Sequence, residues 1–172
     1  MYSDELNNRK PVLVLGIGNI LLHDEGIGVQ AIWEMQKRRA PDDVEFLDGG
    51  TAGADLLDCI SDRRKVIVVD AVDCDVVPGT ILRLKPEDLV VAENQSVSLH
   101  DVGLAETLAM AKQLNCQPKE VVIIGVKPKD ISCGVGLSDE ITEVMPRIIE
   151  AVLAEIINPE LIPSARSQVR IL

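Results

Sequence analysis

Three side chains that commonly bind divalent metal ions stand where a hydrophobic segment gives way to a turn. Glu25 comes shortly after a first apolar segment, and Asp70 directly follows the segment Val66–Val69. His100 precedes a helical pattern. If the two apolar segments are neighbouring parallel strands, both carboxylates lie at the edge where open α/β sheets bind ligands, and His100 can join them. One imidazole and two carboxylates would leave coordination positions open, so the sequence predicts a metal-binding cleft.

Other acidic residues and a second histidine occur in the same parts of the sequence. Asp48 follows another predicted strand, and Asp73 lies close to Asp70. His23 lies near Glu25 and is a competing ligand, because imidazole is the commonest metal ligand. Clustered carboxylates repel one another unless a cation or a proton offsets the repulsion. Each acid taken alone more often caps a loop or a helix. The mixed donor set is compatible with zinc, nickel, manganese or iron and does not choose among them.

The composition favours a parallel sheet that is covered by helices. Of the 172 residues, 47% are hydrophobic but only 2% are aromatic, so Val, Ile, Leu and Ala must fill the core. We expect one domain that spans residues 1–172. The net charge of −11 would repel nucleic acid and anionic membranes and attract a basic peptide segment. Acidity of this kind often reflects nothing more than solubility.

The cysteines and the N-terminus indicate a reducing compartment. Cys59, Cys74, Cys116 and Cys133 are scattered, with no C-x-x-C motif. The first residues are polar and acidic, unlike a signal peptide. No apolar stretch approaches the roughly 20 residues that are needed to cross a bilayer. We therefore expect a soluble, cytoplasmic protein without membrane partners.

The hydrophobic pattern predicts alternating strands and helices. The predicted strands are Val12–Leu15, Val44–Leu47, Lys65–Val69, Thr80–Leu84 and Val121–Val126. The predicted helices are Glu25–Arg39, Ala54–Ile60, Val102–Leu114 and Glu140–Ile157. Asp24 and Ser138 are the expected N-caps of the first and last helices. Residues after Asn158 are expected to form a loose tail.

The connection that precedes the fourth strand determines the direction of that strand. Residues 71–79 have no helical pattern and are fewer than the dozen or so residues that a parallel crossover usually needs. Thr80–Leu84 is therefore predicted to be an antiparallel edge strand. The two preceding βα units place the first strand between the second and the third. The predicted fold class is α/β, a three-layer α/β/α domain whose mostly parallel sheet has five strands and helices on both faces.

A dinucleotide-binding site is an alternative interpretation of the first turn. Gly16 and Gly18 follow the first strand, but Leu21 occupies the third glycine position of the dinucleotide fingerprint. Asp24 and Glu25 also place carboxylates where a pyrophosphate would bind. Asp48 could still bind a ribose, so calorimetry with nicotinamide or flavin nucleotides would test this alternative.

Six short motifs occur in order between about Pro11 and Ile157. They are LGIGNIL at 15–21, DEGIG at 24–28, LDGGTAG at 47–53, DA at 70–71, HDVGL at 100–104 and IGVKP at 124–128. Together they resemble the hydrogenase maturation endopeptidases, which process the large subunit of nickel–iron hydrogenases. Residues 1–10 and 158–172 lie outside the resemblance.

The resemblance implies an α/β fold with a five-stranded sheet and a metal-assisted, aspartic-type endopeptidase activity. It implies that Glu25, Asp70 and His100 contact nickel and that Asp48 lies near the cleavage site, whereas His23 has no ligand role. The expected reaction removes a C-terminal extension from the large-subunit precursor after nickel insertion, so the precursor delivers the nickel. Asp48 or Asp70 could act as the general base.

Two alternatives of a different class stay open. The same residues could form a self-sufficient zinc hydrolase that acts on small peptides, and stoichiometric metal in the purified protein would indicate it. The chain could also be a non-enzymatic nucleotide-binding or maturation module. Loss of mass at the C-terminus of a nickel-loaded precursor would exclude that possibility.

Overall fold

A computed structural model describes residues 9–51, 53, 55–89, 103–157 and 170–172. Its strands are β1 (Val12–Ile17), β2 (Val44–Gly50), β3 (Lys65–Asp73), β4 (Ile81–Leu84), β5 (Glu120–Val126) and β6 (Arg170–Ile171). Its α-helices are α1 (Ile27–Gln36), α2 (Leu56–Ile60), α3 (Leu104–Gln113) and α4 (Asp139–Ile157). Short 3₁₀ turns cover His23–Gly26 and Pro86–Asp88.

The main strands form one mixed sheet in the order β2-β1-β3-β5-β4. β1 lies parallel to both β2 and β3, and β5 lies parallel to β3. β4 runs antiparallel to β5 at the edge of the sheet. The predictions that the first strand lies between the second and the third and that Thr80–Leu84 contains an antiparallel edge strand are therefore confirmed. The link between β3 and β4 is too short for the crossover that a parallel strand would need.

Helices cover both faces of the sheet, as the composition predicted. α1 and α4 pack on one face, against alternate residues of the central strands such as Val14, Ile67 and Ile124. α2 and α3 pack on the other face, against the intervening residues. Successive strand residues point to opposite faces, which explains why the central strands are apolar throughout. None of the helices within the described ranges combines the length and apolar character that crossing a bilayer requires.

Several predicted boundaries are wrong at the ends of elements. α1 begins at Ile27 and ends at Gln36, because a separate 3₁₀ turn precedes it and Gly26 is its N-cap. Asp24 is therefore not the N-cap of this helix. Asp70 lies within β3 rather than after it, since the pairing of β3 with β5 continues to Ala71. The predicted helix starts at Ala54 and Val102 fall outside the described residues.

The predicted loose tail is also wrong at its very end. β6 pairs antiparallel with the end of β3, with Ile171 opposite Val72. The backbone N–H of Leu172 donates a hydrogen bond of 3.3 Å to the carbonyl oxygen of Ala71. The last residues thus cover the carboxyl end of the central strand, close in sequence to Asp70. The hydrophobic pattern of the sequence did not indicate this pairing, because a strand of two residues is too short to show a periodicity.

Two glycines bring α1 into direct contact with the sheet. A Cβ atom at Gly16 on β1 would overlap the carbonyl oxygen of Gly28 on α1. A Cβ atom at Gly28 would overlap the carbonyl oxygens of Ile17 and Val69. The close packing that a dinucleotide fold obtains from the third glycine of its turn is therefore supplied here by a glycine inside the helix. It fixes the turn that carries Glu25 against the sheet.

Gly28→Ala is expected to destabilise the protein by about 3 kcal/mol, because an overpacked site with backbone neighbours cannot relax by side-chain rotation. Urea denaturation of the purified protein measures this loss. Gly103→Ala is the matched control, since a Cβ there would come closest to Oε2 of Glu106, the end of a flexible side chain. Equal stability of the two variants would show that α1 can move away from the sheet at little cost.

Candidate functional site

Glu25 and Asp70 lie together at the carboxyl edge of the parallel strands. Asp70 is fully buried near the end of β3, and Glu25 is partly buried in the 3₁₀ turn that follows β1. Gly18 makes the turn possible, because it has a φ of 138° and a Cβ there would overlap the carbonyl oxygen of Glu25. The chain therefore folds back sharply after β1, and this brings Glu25 towards the end of β3.

Both carboxyl groups have raised pKa values. Burial raises the pKa of Asp70 well above its ordinary value. A hydrogen bond of 2.8 Å from the backbone N–H of Ala71 to Oδ1 opposes that rise, and the negative charge of Glu25 adds to it. Burial also raises the pKa of Glu25. The 3₁₀ turn that carries Glu25 also contacts β3, so both carboxyl groups lie in the same part of the carboxyl edge.

One oxygen of each carboxyl group has no hydrogen-bond partner. Oε2 of Glu25 and Oδ2 of Asp70 are the only buried side-chain oxygen or nitrogen atoms in the described ranges that lack one. An unsatisfied buried acceptor costs about 1–3 kcal/mol, and more when it is charged. A cation or a donor group from a ligand would satisfy both atoms. Two anionic oxygens suit a divalent cation, so the donor set fits a metal contact.

The third predicted ligand, His100, lies outside the described residues. Within the ranges that the structure does describe, no three His, Cys, Asp or Glu side chains form a group that could hold a metal ion. The structure therefore brings together two members of the predicted trio, and the role of His100 stays a prediction.

Asp48 lies at the same edge but in different surroundings. It is exposed at the end of β2, where Oδ2 accepts a hydrogen bond of 2.8 Å from Nε1 of Trp33 and Oδ1 accepts one of 2.9 Å from the backbone N–H of Gly50. With Trp33 and Leu21 it lines a cavity of about 290 Å³. Asp48 is thus held in a fixed orientation beside an accessible cavity, and its part in catalysis stays a prediction.

His23 and Asp73 have structural partners. Nδ1 of His23 donates a hydrogen bond of 3.0 Å to the carbonyl oxygen of Gly136, and a Cβ at Gly134 would overlap the histidine ring. The ring therefore packs on the loop that precedes α4. Nζ of Lys127 donates a hydrogen bond of 2.8 Å to Asp73. Neither contact involves Glu25.

Asp24 is a functional candidate that the sequence analysis missed. Its carboxylate is fully buried and accepts four hydrogen bonds from the segment between β5 and α4. The donors are the backbone N–H groups of Lys129, Asp130 and Ser138 and the hydroxyl of Ser138, at 2.7–3.0 Å. Asp24 thus fixes that segment to the turn that carries Glu25. Its place in the DEGIG motif was the one available signal.

The fold and the site define an α/β protein with two buried or partly buried carboxyl groups at the carboxyl edge of a mostly parallel sheet. The family model of the hydrogenase maturation proteases (HycI) matches residues 29–155, which include Asp70. The chain belongs to the hydrogenase maturation protease family, so it is a hydrolytic peptidase and the resemblance seen in the sequence is confirmed. Glu25 lies just before the matched range.

Relatives and solved structures agree with this assignment. The hydrogenase 2 maturation protease of Escherichia coli is 38% identical over 145 residues, which are 83% of this chain and 88% of the relative. The hydrogenase expression/formation protein HupD of Bradyrhizobium diazoefficiens is 40% identical over 133 residues, or 76% and 68% of the two chains. The structure of the E. coli hydrogenase maturating endopeptidase HybD superposes with a TM-score of 0.75 at 33% identity, covering 94% and 96%.

Proposed function

We propose that this protein removes the C-terminal extension of a nickel–iron hydrogenase large-subunit precursor after nickel has been inserted. The observation that supports the proposal is the pair of unpartnered oxygens on Glu25 and Asp70, in a chain that belongs to the hydrogenase maturation protease family. The nickel ion belongs to the substrate, so the peptidase needs no metal of its own.

The carboxylate pair gives a physical reason why cleavage would follow nickel insertion. The free enzyme holds two neighbouring carboxyl groups, each with an unsatisfied oxygen, and the negative charge of Glu25 disfavours ionisation of Asp70. A precursor whose cysteines hold nickel would supply a cation that offsets the repulsion, with Glu25, Asp70 and His100 completing its coordination. A precursor without nickel leaves both oxygens unpartnered. The difference in affinity between these two complexes is the selection step.

Hydrolysis also requires a group that takes a proton from the attacking water. Burial raises the pKa of Asp70, which makes its carboxylate a stronger proton acceptor once it is ionised. Asp48 faces an accessible cavity, and its carboxylate is oriented by Trp33. Both are candidates, and their variants should differ. A pure base variant keeps precursor binding and loses turnover, whereas a metal-contact variant loses both.

The cleavage assay compares nickel-loaded and nickel-free precursor side by side. We expect mass spectrometry to show loss of the C-terminal extension from the loaded precursor alone. Glu25→Gln keeps the shape of the side chain but removes its charge, and it is expected to lower both binding and cleavage by at least about tenfold. Asp48→Asn is the comparison for a group that serves turnover without binding nickel.

The outcomes separate the parts of the proposal. Equal cleavage of both precursors would refute the nickel requirement and leave the peptidase activity standing. No cleavage of either precursor would refute the substrate. Wild-type behaviour of Glu25→Gln would remove the carboxylate pair from the mechanism.

A further inference from the structure

A second cavity lies at the opposite end of the sheet from the carboxylate pair. Its volume is about 630 Å³, and it opens where β5 begins, between the end of α3 and the segment that follows β4. Glu120 at this end of β5 pairs with Lys65, whereas Gly125 at the other end pairs with Asp70. Five residues of strand separate the two ends, or about 16 Å at the usual rise. The cavity is therefore separate from the peptidase site.

The wall of this cavity carries uncompensated positive charge. Lys85, Lys112 and Lys119 line it and are exposed, and none of them makes an ion pair within the described part of the chain. The other charged lining residues are largely neutralised. Arg83 is bonded to Glu155 at 2.5 Å, and Glu120 to Lys65 at 2.9 Å. This leaves Glu87 as the one acidic lining residue without an ion pair in the described ranges.

For an anion inside this cavity, the nearby charges matter more than the net charge of the whole protein, which is −11. Charges that are more than a Debye length apart, about 8 Å at physiological ionic strength, are largely screened. An anion inside the cavity therefore interacts mainly with the three lysines and with Glu87, whose charges sum to +2. We call this cavity the lysine groove.

The floor of the lysine groove includes a part of β5 that pairs on one side only with strands of the described residues. β4 pairs with β5 only as far as Leu84 opposite Ile123. The first residues of β5, 120–122, pair with β3 on one side, and on the other side no strand within the described ranges pairs with them. Pro86 ends the ladder, since it has no backbone N–H to donate. An unpaired strand edge is a template for an added extended segment.

The remaining lining groups suit side chains of such a segment. Leu108 of α3, Val121 of β5 and Pro118 provide apolar surface beside the lysines. Successive side chains of an extended peptide point in opposite directions, so one set can contact apolar surface while the other reaches the ammonium groups. No α-helix N-terminus lies among the lining residues, and neither does a glycine. The groove therefore lacks the backbone N–H cradle that typically binds phosphate.

We propose that the lysine groove binds an extended acidic peptide segment of a partner protein by strand addition to residues 120–122 of β5, beyond the last β4–β5 pair. The segment carries carboxylates that meet Lys85, Lys112 and Lys119 and apolar side chains that contact Leu108 and Val121. This docking site is distinct from the site where the peptide bond is cut. If no peptide bound to this docking site, the result of the cleavage assay would still stand.

Binding is tested with a fluorescein-labelled peptide of alternating Glu and Val residues and the full-length protein. We expect fluorescence anisotropy to show binding that weakens as sodium chloride increases. Lys85→Glu combined with Lys112→Glu is expected to weaken it at least about tenfold. Arg38→Glu combined with Arg147→Glu, an equal charge change at two exposed positions outside the groove, is the control for net charge and should stay within about twofold.

Three probes test the mode of binding. A peptide with alternating Gln and Val should bind at least about tenfold more weakly if charge is required. An N-methylated version of the acidic peptide should also bind weakly, because it cannot donate ladder hydrogen bonds. Backbone NMR shifts are expected at Leu108, Val121 and Val122.

Any of several results would overturn the proposal. These are no binding, equal binding of the Gln–Val or N-methylated peptide, shifts confined to Glu25 and Asp70, or displacement of the peptide by inorganic phosphate or ADP.

Discussion

Asp70→Asn is expected to lower kcat/KM for the nickel-loaded precursor by at least about 100-fold and yet to make the free protein more stable. The activity falls because the neutral amide neither offers an anionic oxygen to the metal nor accepts a proton. The stability rises because the wild-type carboxyl group is fully buried, lies near Glu25 and has one unpartnered oxygen. An amide of the same shape removes the repulsion.

The size of the stability gain follows from the unpartnered oxygen of Asp70. A buried acceptor without a hydrogen-bond partner costs about 1–3 kcal/mol. We expect a gain of about 1–3 kcal/mol near neutral pH, since the amide also loses part of the hydrogen bond from Ala71. For a protein of this length that is about 2–4 °C in Tm for each kcal/mol.

The gain must depend on pH in a defined direction. Because the folded pKa of Asp70 is raised, the folded state holds a proton that the unfolded state has released. Wild type therefore loses stability as the pH rises from about 4 through the raised pKa, and the loss is constant above it. The advantage of Asp70→Asn grows over the same window and disappears at low pH. Glu25 contributes in the same direction in wild type, since burial also raises its pKa.

Thermal unfolding in the presence of a chelator, at several pH values, measures this effect. Asp42→Asn is the matched control, because it makes the same chemical change at a fully exposed side chain and should stay within about 0.5 kcal/mol of wild type. If Asp70→Asn unfolded at a lower temperature than wild type near neutral pH, the carboxylate pair would not be a destabilised site in the free enzyme.

The sheet topology could be predicted from the sequence because simple rules act on long segments. Apolar runs without alternation indicated buried parallel strands, and the short connection after Asp70 fixed β4 as an antiparallel edge strand. The same reasoning placed Glu25 and Asp70 at one edge, since carboxyl ends of parallel strands share an edge. Their unpartnered oxygens could not be predicted, because hydrogen bonding of a buried group depends on neighbours throughout the fold.

The wrong predictions for Asp24 and for the C-terminal residues have one cause, which is interaction between residues far apart in sequence. Asp24 was predicted to be an N-cap because Asp is a preferred N-cap residue and precedes a helical pattern. Its carboxylate instead bonds to Lys129, Asp130 and Ser138, more than 100 residues later. The pairing of Ile171 with β3 is of the same kind. Local pattern contains no information about such contacts.

The carboxyl groups of the site differ in how fully they are hydrogen-bonded. The oxygens of Glu25 and Asp70 that would meet the metal are unsatisfied, whereas the neighbouring carboxylate of Asp24 is saturated with donors. A site with unsatisfied groups keeps its shape only if the surrounding structure holds it. Asp24 and the packing of Gly28 on the sheet provide that support.

Asp24→Ala is therefore expected to cost about 3–5 kcal/mol of stability, the largest loss of any substitution considered for this protein. It removes a buried charge that accepts four hydrogen bonds and leaves three backbone N–H groups without their acceptor. Hydrogen bonds to a charged group contribute about 1.5–3 kcal/mol each, and partial hydration of the loop recovers some of that loss. Cleavage should also fall, because Glu25 is the next residue in the same turn.

Urea denaturation and hydrogen exchange of the segment 127–138 measure the effect. Ser138→Ala removes one of the four hydrogen bonds and should cost about 1 kcal/mol, while Asp24→Asn keeps the shape and is expected to lie between the two. In a double-mutant cycle, Asp24→Ala with Ser138→Ala should cost clearly less than the sum of the single losses, because both remove the same contact. Additive losses, or an Asp24→Ala protein as stable as Ser138→Ala, would show that this carboxylate does not hold the loop in place.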